Sequence, residues 1–196
     1  MLHIVDDEEV IRDSLIWLAQ SRRIEAMGYD GAQPFLDRLG TDFAFSHEGD
    51  CLLLDMRMPD MSGAQLFDAL EARGYTRRMP VIFLTGHGDV PMAVDSLKRG
   101  AFDFFEKPFN DNSLMDRVQE ALRASLEAGD QAQVQARLDS LSAREREVMD
   151  LILEGKMNKV IADMMGITMR TVEVHRAHVF AKMGVRTAVE LARLLK

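Results

Sequence analysis

The segment CLLLDMRMPDMSG spans Cys51 to Gly63. It begins as an apolar run, Cys51-Leu52-Leu53-Leu54, and stops on a carboxylate, Asp55. Turn residues follow at Met58-Pro59-Asp60 and Ser62-Gly63. A short apolar run bounded by a turn reads as a strand buried on both faces, the kind found inside a parallel sheet. Asp55 then stands at the carboxyl end of a central strand, the edge at which open α/β sheets bind their ligands.

Upstream, Leu2-His3-Ile4-Val5 reads as another short strand, ending on Asp6-Asp7. Val10, Ile11, Leu15 and Leu18 follow at helical spacing, and Glu8 and Glu9 in the first turn suit the helix dipole. Ile24 to Tyr29 predicts a second strand, Phe35, Leu36 and Leu39 a short helix, and Thr41 to Asp50 a loop. Downstream of the central strand, Ala64, Leu66, Phe67 and Leu70 predict a helix closed by Gly74. Val81 to Leu84 is a fourth strand, ending on Thr85-Gly86. A helix from about Asp89 to Arg99 tolerates Pro91 in its first turn. Phe102 to Glu106 is a fifth strand, followed by Lys107-Pro108 and a helix from near Asp111.

Five rounds of strand then helix argue for a doubly wound parallel sheet with helices on both faces. Asp6, Asp7, Asp55, Thr85 and Lys107 then converge on one edge. Three clustered carboxylates stay ionised together only beside a cation. An all-oxygen site of few ligands suits Mg²⁺. A nucleophilic carboxylate at Asp55, a lysine and a threonine hydroxyl beside it make a site for handling a phosphoryl group.

Composition frames the rest. The 196 residues allow one large domain or two small ones, and 47% are apolar, enough for real cores. The apolar runs are too short to span a membrane, and the amino end lacks a signal-peptide pattern. The lone cysteine, Cys51, lies in the apolar run, which excludes a disulfide scaffold. The chain reads as cytoplasmic. Its formal charge of −8 is unevenly spread. From Ser140 onward 10 Lys/Arg face 7 Asp/Glu, whereas residues 1–139 carry 14 against 25. An acidic front and a mildly basic back suggest two domains with different partners. We place them at 1–125 and 140–196, joined by a helical linker over 126–139 that Gly129 interrupts.

In the basic part, Ser142-Ala143-Arg144-Glu145 is a capping box opening a helix with Val148, Leu151 and Ile152 inward. Asn158 to Met165 is a short helix, Gly166-Ile167 a turn, and Thr168 caps a longer helix running to Met183. Thr187 to Glu190 reads as another capping box, before a final helix. A short helix, a glycine turn and a longer helix match the helix-turn-helix that reads the DNA major groove. In the longer helix Val172, Val179 and Met183 face inward by spacing. That leaves Glu173, Val174, Ala177 and His178 outward, with Arg170, Arg176 and Lys182 alongside. Small and hydrogen-bonding side chains flanked by cations suit base edges between phosphates.

Asp6-Asp7, Asp55 with Met58-Pro59 and Gly63, Thr85-Gly86 and Lys107-Pro108 together resemble the receiver domain of bacterial response regulators. The resemblance implies a flavodoxin-like strand order 2-1-3-4-5. It also implies that Asp55 accepts a phosphoryl group, and that Asp6, Asp7, Asp55 and the backbone carbonyl of Arg57 hold Mg²⁺. By the same resemblance Thr85 and Phe104 form the switch pair, Lys107 pairs with the phosphoryl group, and the Lys107-Pro108 bond is cis. Phe104 fits a core strand position equally well. The Arg57 and His87 side chains occupy positions that tune dephosphorylation in that family, or are a surface arginine and a loop histidine. Leu141 to Glu190 resembles the LuxR-type four-helix DNA-binding domain, and the whole chain resembles the NarL/FixJ family, its FixJ branch above all. Lys159, Arg170, Thr171, Glu173, Val174, Arg176, Ala177 and Lys182 are the DNA-contact candidates, although surface cations explain the basic ones too. The implied partners are a sensor histidine kinase, double-stranded DNA with a pseudo-palindromic site, RNA polymerase and, once phosphorylated, a second copy of the chain. The output would be regulation, and by the FixJ-like resemblance activation, of transcription. Two rivals stand beside this reading: a phosphatase turning over through an aspartyl phosphate, and a DNA-binding protein whose receiver is only a scaffold. The first usually needs a second acid where Arg57 stands. The complete acid set argues against the second.

Overall fold

A computed structural model describes residues 1–40, 43–86 and 90–195; for Val90, Pro91 and Ala93 it describes the backbone alone. The chain divides into two compact units, Met1–Gly129 and Asp130–Lys196.

In the first unit the strands are β1 (Leu2–Val5), β2 (Ala26–Tyr29), β3 (Cys51–Asp55), β4 (Val81–Thr85) and β5 (Asp103–Glu106). The helices are α1 (Glu9–Ser21), α2 (Ala32–Leu39), α3 (Gly63–Ala72), α4 (Val90–Lys98) and α5 (Asp111–Asp139), the last of which continues past the unit boundary. All strand pairs are parallel and the order is β2-β1-β3-β4-β5, as the receiver resemblance implies. Every residue of β3 is buried, which accounts for its apolar run. Strand alternation sorts those residues onto two cores. Leu52 and Leu54 join Val5, Phe83, Phe35 of α2 and Phe67 of α3. Cys51 and Leu53 join Ile4, Ile82, Leu15 of α1 and Val118 of α5. Each fully buried leucine contributes about 1.5–3 kcal/mol.

Several boundaries differ from expectation. β2 starts at Ala26 rather than Ile24, because the Ile24 amide closes the end of α1 on the Ala19 carbonyl. β5 starts at Asp103, and a 3₁₀ turn over Tyr75–Arg77 follows α3. The helix starting near Asp89 is seen from Val90, and Asp89 itself, like Thr41 of the expected loop, lies outside the described residues. The interruption expected at Gly129 does not occur. α5 runs through it, and the missing side chain leaves room for Arg78, whose Nη2 would lie 2.8 Å from an added Cβ. The Arg78 guanidinium also lies 4.3 Å from the centre of the Phe45 ring. A mid-helix glycine costs about 1 kcal/mol against alanine. Here it seats α5 on the segment before β4.

The second unit holds α6 (Ala143–Leu153), α7 (Asn158–Met165), α8 (Met169–Met183) and α9 (Ala188–Leu194), with the end of α5. Its core includes Val148, Ile152, Ile161, Val172, Val179, Met183 and Leu191. The box at Ser142–Glu145 is reciprocal, and Thr168 caps α8 through the Thr171 amide. At α9 the box is only half formed. Thr187 accepts from the Glu190 amide, but the Glu190 carboxylate accepts from Arg186, one residue before the cap.

Candidate functional site

The strand ends deliver Asp6, Asp55, Thr85 and Lys107 to one edge of the sheet. Asp6 and Thr85 are fully buried and Asp55 is nearly so. The Lys107 ammonium donates to Asp55 Oδ1 at 2.6 Å and to Asp6 Oδ2 at 2.8 Å. The other Asp55 oxygen accepts from the Arg57 amide at 2.7 Å. Asp6 Oδ1 accepts from the Glu8 amide at 2.9 Å, and the Arg12 guanidinium holds the Asp6 carbonyl at 2.7 Å. The Thr85 carbonyl receives the Lys107 amide at 2.7 Å, which joins β4 to the turn carrying the lysine. Lys107-Pro108 is cis. Behind the site Gly63 packs against the chain: a Cβ there would lie 2.2 Å from the Asp55 carbonyl oxygen. A side chain at position 63 would displace the backbone that aims Asp55.

The expected trio of clustered carboxylates is a pair. Asp7 is exposed, since successive residues leaving a strand point to opposite sides. Among the described residues no three His, Cys, Asp or Glu side chains gather as a ready-made metal cage. Two buried carboxylates nonetheless share a single ammonium. Burial pushes the Asp55 carboxyl above its ordinary value, against the pull of the Lys107 hydrogen bond, and Asp6 adds to the rise. Burial also pulls Lys107 down, but its hydrogen bonds to Asp55 and Asp6 outweigh that and hold it above the ordinary lysine value. Thr85 Oγ1 is buried with no partner among the described residues. Such an orphan typically costs about 1–3 kcal/mol. The edge therefore combines surplus negative charge, carboxylate and carbonyl oxygens and a hydroxyl without a partner. That donor set fits a hard divalent cation together with an oxygen-rich substrate.

Phe104 lies in β5 opposite Phe83, half-buried and packed against the core that holds Leu54 and Phe67. The Arg57 side chain is exposed, and His87 lies outside the described residues. Sequence reading passed over Arg12, whose bond to the Asp6 carbonyl has no signature beyond a cation one turn into α1. It also passed over a buried network in the same unit. His3 Nε2 lies 3.1 Å from Asp50 Oδ1, and its Nδ1 lies 3.2 Å from the Tyr29 hydroxyl.

In the second unit α8 exposes Glu173, Val174, Ala177 and His178, as its spacing predicts, and buries Val172, Val179 and Met183. Lys159 and Arg170 are exposed. Arg176 lies over the Phe180 ring, 5.4 Å from its centre. Thr171 shares a 2.8 Å hydrogen bond with the Thr168 hydroxyl at the start of the helix. Lys182 is exposed along its length, and its ammonium donates to Glu145 at 2.7 Å and to the Ser140 carbonyl at 3.0 Å.

Comparison with known proteins accounts for both units. Residues 2–119 match the response regulator receiver domain family, and residues 139–195 match the luxR family of bacterial regulatory proteins. The C4-dicarboxylate transport transcriptional regulatory protein DctR of Rhodobacter capsulatus is 54% identical over 200 residues, covering 98% of each chain. The transcriptional regulatory protein FixJ of Azorhizobium caulinodans is 41% identical over 197 residues, covering 98% of this chain and 90% of its own. Among solved structures, full-length FixJ from B. japonicum matches with a TM-score of 0.59 at 40% identity, over 98% of this chain and 94% of its own. The response regulator StyR matches with a TM-score of 0.71 at 37% identity, over 99% of this chain and 96% of its own. The chain belongs to the NarL/FixJ-type two-component response regulators: it carries a receiver domain followed by a LuxR-type DNA-binding domain and regulates transcription.

Proposed function

We propose that phosphorylation of Asp55 by a sensor histidine kinase switches this regulator on. The observation that carries the proposal is the Lys107 ammonium bridging Asp55 and Asp6 beside the orphaned Thr85 hydroxyl. An Asp55 carboxylate oxygen attacks the phosphorus of a phosphohistidine. The new O–P bond forms as the P–N bond breaks, and the imidazole leaves and takes up a proton. Asp6, Asp55 and the Arg57 carbonyl would hold Mg²⁺, with Asp7 at the same edge. When bound, the metal neutralises phosphoryl oxygens as charge develops. Lys107 keeps its hold on Asp6 and pairs with the transferred group. Thr85 Oγ1 donates to a phosphoryl oxygen, which ends its isolation, and Phe104 follows on the adjacent strand. Water later hydrolyses the acyl phosphate at a rate set in part by the Arg57 and His87 side chains. Chemistry beyond its own phosphorylation and dephosphorylation is not part of this reading.

The switched face comprises α4, β5 and the start of α5. Pairing two copies through it raises the effective concentration of two DNA-binding domains at one site. The target would be a pseudo-palindrome in double-stranded DNA with half-sites about one helical turn apart. α8 would lie in the major groove with Glu173, Val174 and Ala177 toward bases. Lys159, Arg170, Thr171 and Arg176 would lie toward phosphates. RNA polymerase, recruited in the cytoplasm, is the partner through which we read activation. The identity to DctR, higher than to FixJ, favours target genes of C4-dicarboxylate transport. The test is solution size and affinity for duplexes covering such promoters, before and after acetyl phosphate with Mg²⁺. Wild type should pair and bind more tightly after treatment, while Asp55→Asn should do neither. Equal binding by both proteins would overturn the switch.

A further inference from the structure

The last turn of α5 is fastened into the second unit through helix ends. Leu138, near the end of α5, packs against the core that holds Leu141, Val148 and Val179. Arg137 is half-buried beside it. Its Nη1 donates to the Met183 carbonyl at 3.0 Å, and its Nη2 donates to Gln133 Oε1 at 3.2 Å. Met183 is the last residue of α8. In return Lys182, from the same turn of α8, donates to the Ser140 carbonyl at 3.0 Å, one residue past the end of α5. Arg146 of α6 donates to the Leu138 carbonyl at 2.6 Å.

The last carbonyls of a helix lack partners within it and carry partial negative charge. Two such ends brought together repel unless cations lie between them. Here α5 and α8 exchange those cations, Arg137 for Lys182. Gly184 completes the joint. It ends α8 in the left-handed region at φ 68°, and a Cβ there would lie 3.0 Å from Arg137 Nη1. A side chain at position 184 would crowd the guanidinium that caps the helix. Lys182 also reaches Glu145 at 2.7 Å, so α6 is drawn into the same joint.

The other end of α8 carries the base-facing candidates. Hydrogen bonds to base edges demand close distances and angles, whereas phosphate contacts fix register and carry no sequence information. The aim of the helix therefore matters more to sequence preference than to non-specific attraction. We propose that Arg137 and Lys182 are positioning residues for DNA recognition: the exchange of caps between α5 and α8 sets the angle at which α8 presents Glu173, Val174 and Ala177 to base edges. This rests on the reading of α8 as the DNA-facing helix. It gives Lys182, a phosphate candidate by sequence, the duty of a cap, and it makes the last turn of α5 part of the DNA-reading unit.

The test uses the full chain treated with acetyl phosphate and Mg²⁺. Wild type first enriches a duplex from a random-core library. Affinities for that duplex and for an unrelated one are then measured across a range of salt, on variants shown to be folded by circular dichroism. Arg137→Gln and Lys182→Met are each expected to bind the enriched duplex about tenfold more weakly, the scale of one lost base contact. Binding to the unrelated duplex should be unchanged. Arg137→Lys, which keeps a cation, should restore most of the preference. The double variant should fall no further than either single one, because both act through one joint. Lys182→Met should also keep the wild-type salt dependence, since no phosphate contact is lost. Arg137→Gln leaves the Lys182–Glu145 pair intact, so it decides the matter even where Lys182→Met unfolds the unit. Full wild-type preference in folded Arg137→Gln would overturn the proposal. So would a Lys182→Met that weakens both duplexes alike and lowers the salt slope by about one, the mark of a phosphate contact. If in either case Glu173→Ala and Val174→Ala still relax the preference, the DNA-facing reading of α8 survives. If those two variants bind as wild type does, that reading falls and takes the proposal with it.

Discussion

Two charge clusters, one in each unit, are each built on a buried carboxylate paired with a lysine yet left in opposite states. Around Glu145 the charges and donors match: one carboxylate, the Lys182 ammonium, the Ser142 amide, and an additional carbonyl for the lysine. Around Asp55 they do not. Two carboxylates share one lysine, and the neighbouring Thr85 hydroxyl has no partner among the described residues. The pKa directions follow. Glu145 is held down at about 2, while Asp55 is pushed up by burial. A matched cluster is a joint. An unmatched one persists because the fold around it over-determines it, and it is completed by something that arrives. In the function proposed above, that is a phosphoryl group with its cation.

The contrast is broken most forcefully at Lys107. Lys107→Met leaves two carboxylates buried without a counter-charge, a change that typically costs about 3–5 kcal/mol. We expect a loss of that order in urea titrations at neutral pH, read by the fluorescence of Trp17, the single tryptophan, in α1 of the same unit. The loss should shrink as pH falls and the acids protonate. A loss below about 1 kcal/mol, the level of an exposed pair, would mean that the cluster is not under the tension described. Next comes Glu145→Ala. It should lower the thermal midpoint seen by far-UV circular dichroism and speed hydrogen exchange in α6 and α8, with the Trp17 signal unmoved. Thr85→Val should do the reverse of an ordinary core substitution. Removing an orphaned hydroxyl leaves stability unchanged or raises it by up to about 1 kcal/mol in the same urea assay. The gain in DNA binding on acetyl phosphate treatment should nevertheless disappear.

Acid titration sharpens the comparison with a smaller effect. Glu145 lies below its ordinary value, and so does Asp50, because its bonds from His3 and the Ser46 amide outweigh the opposing push of burial. Depressed carboxyls stabilise the fold above the ordinary carboxylate range, and that contribution is lost as pH falls toward their lowered values. Asp55 has the opposite sign. The folded chain holds its proton more tightly than the unfolded chain does, so acid relieves that site. Amide exchange in α8 should therefore quicken between about pH 5 and pH 3, while amides flanking Asp55 gain protection first.

Much of this was legible in the chain because hydrophobic alternation and strand-end polarity are local. The run before Asp55, the acids after Val5, Thr85 after Leu84 and Lys107 after Glu106 each announce a strand end. Parallel topology alone brings those ends together. Which of Asp6 and Asp7 turns inward was not legible, since it depends on the register of one peptide leaving β1. The seat of Gly129 was hidden too, because Arg78 meets it across about fifty residues of chain. The pairing of Lys182 with Glu145 was hidden for a similar reason. Glu145 is visible locally only as half of a capping box. The His3–Asp50–Tyr29 network had no local sign either, since a histidine within a strand reads as an ordinary interior residue.

The most direct measurement is the intact mass of wild type and Asp55→Asn after incubation with acetyl phosphate, with and without Mg²⁺. The account predicts one added phosphoryl group on wild type, only when Mg²⁺ is present, and none on Asp55→Asn. Equal uptake by both proteins, or none by wild type with Mg²⁺, would contradict it.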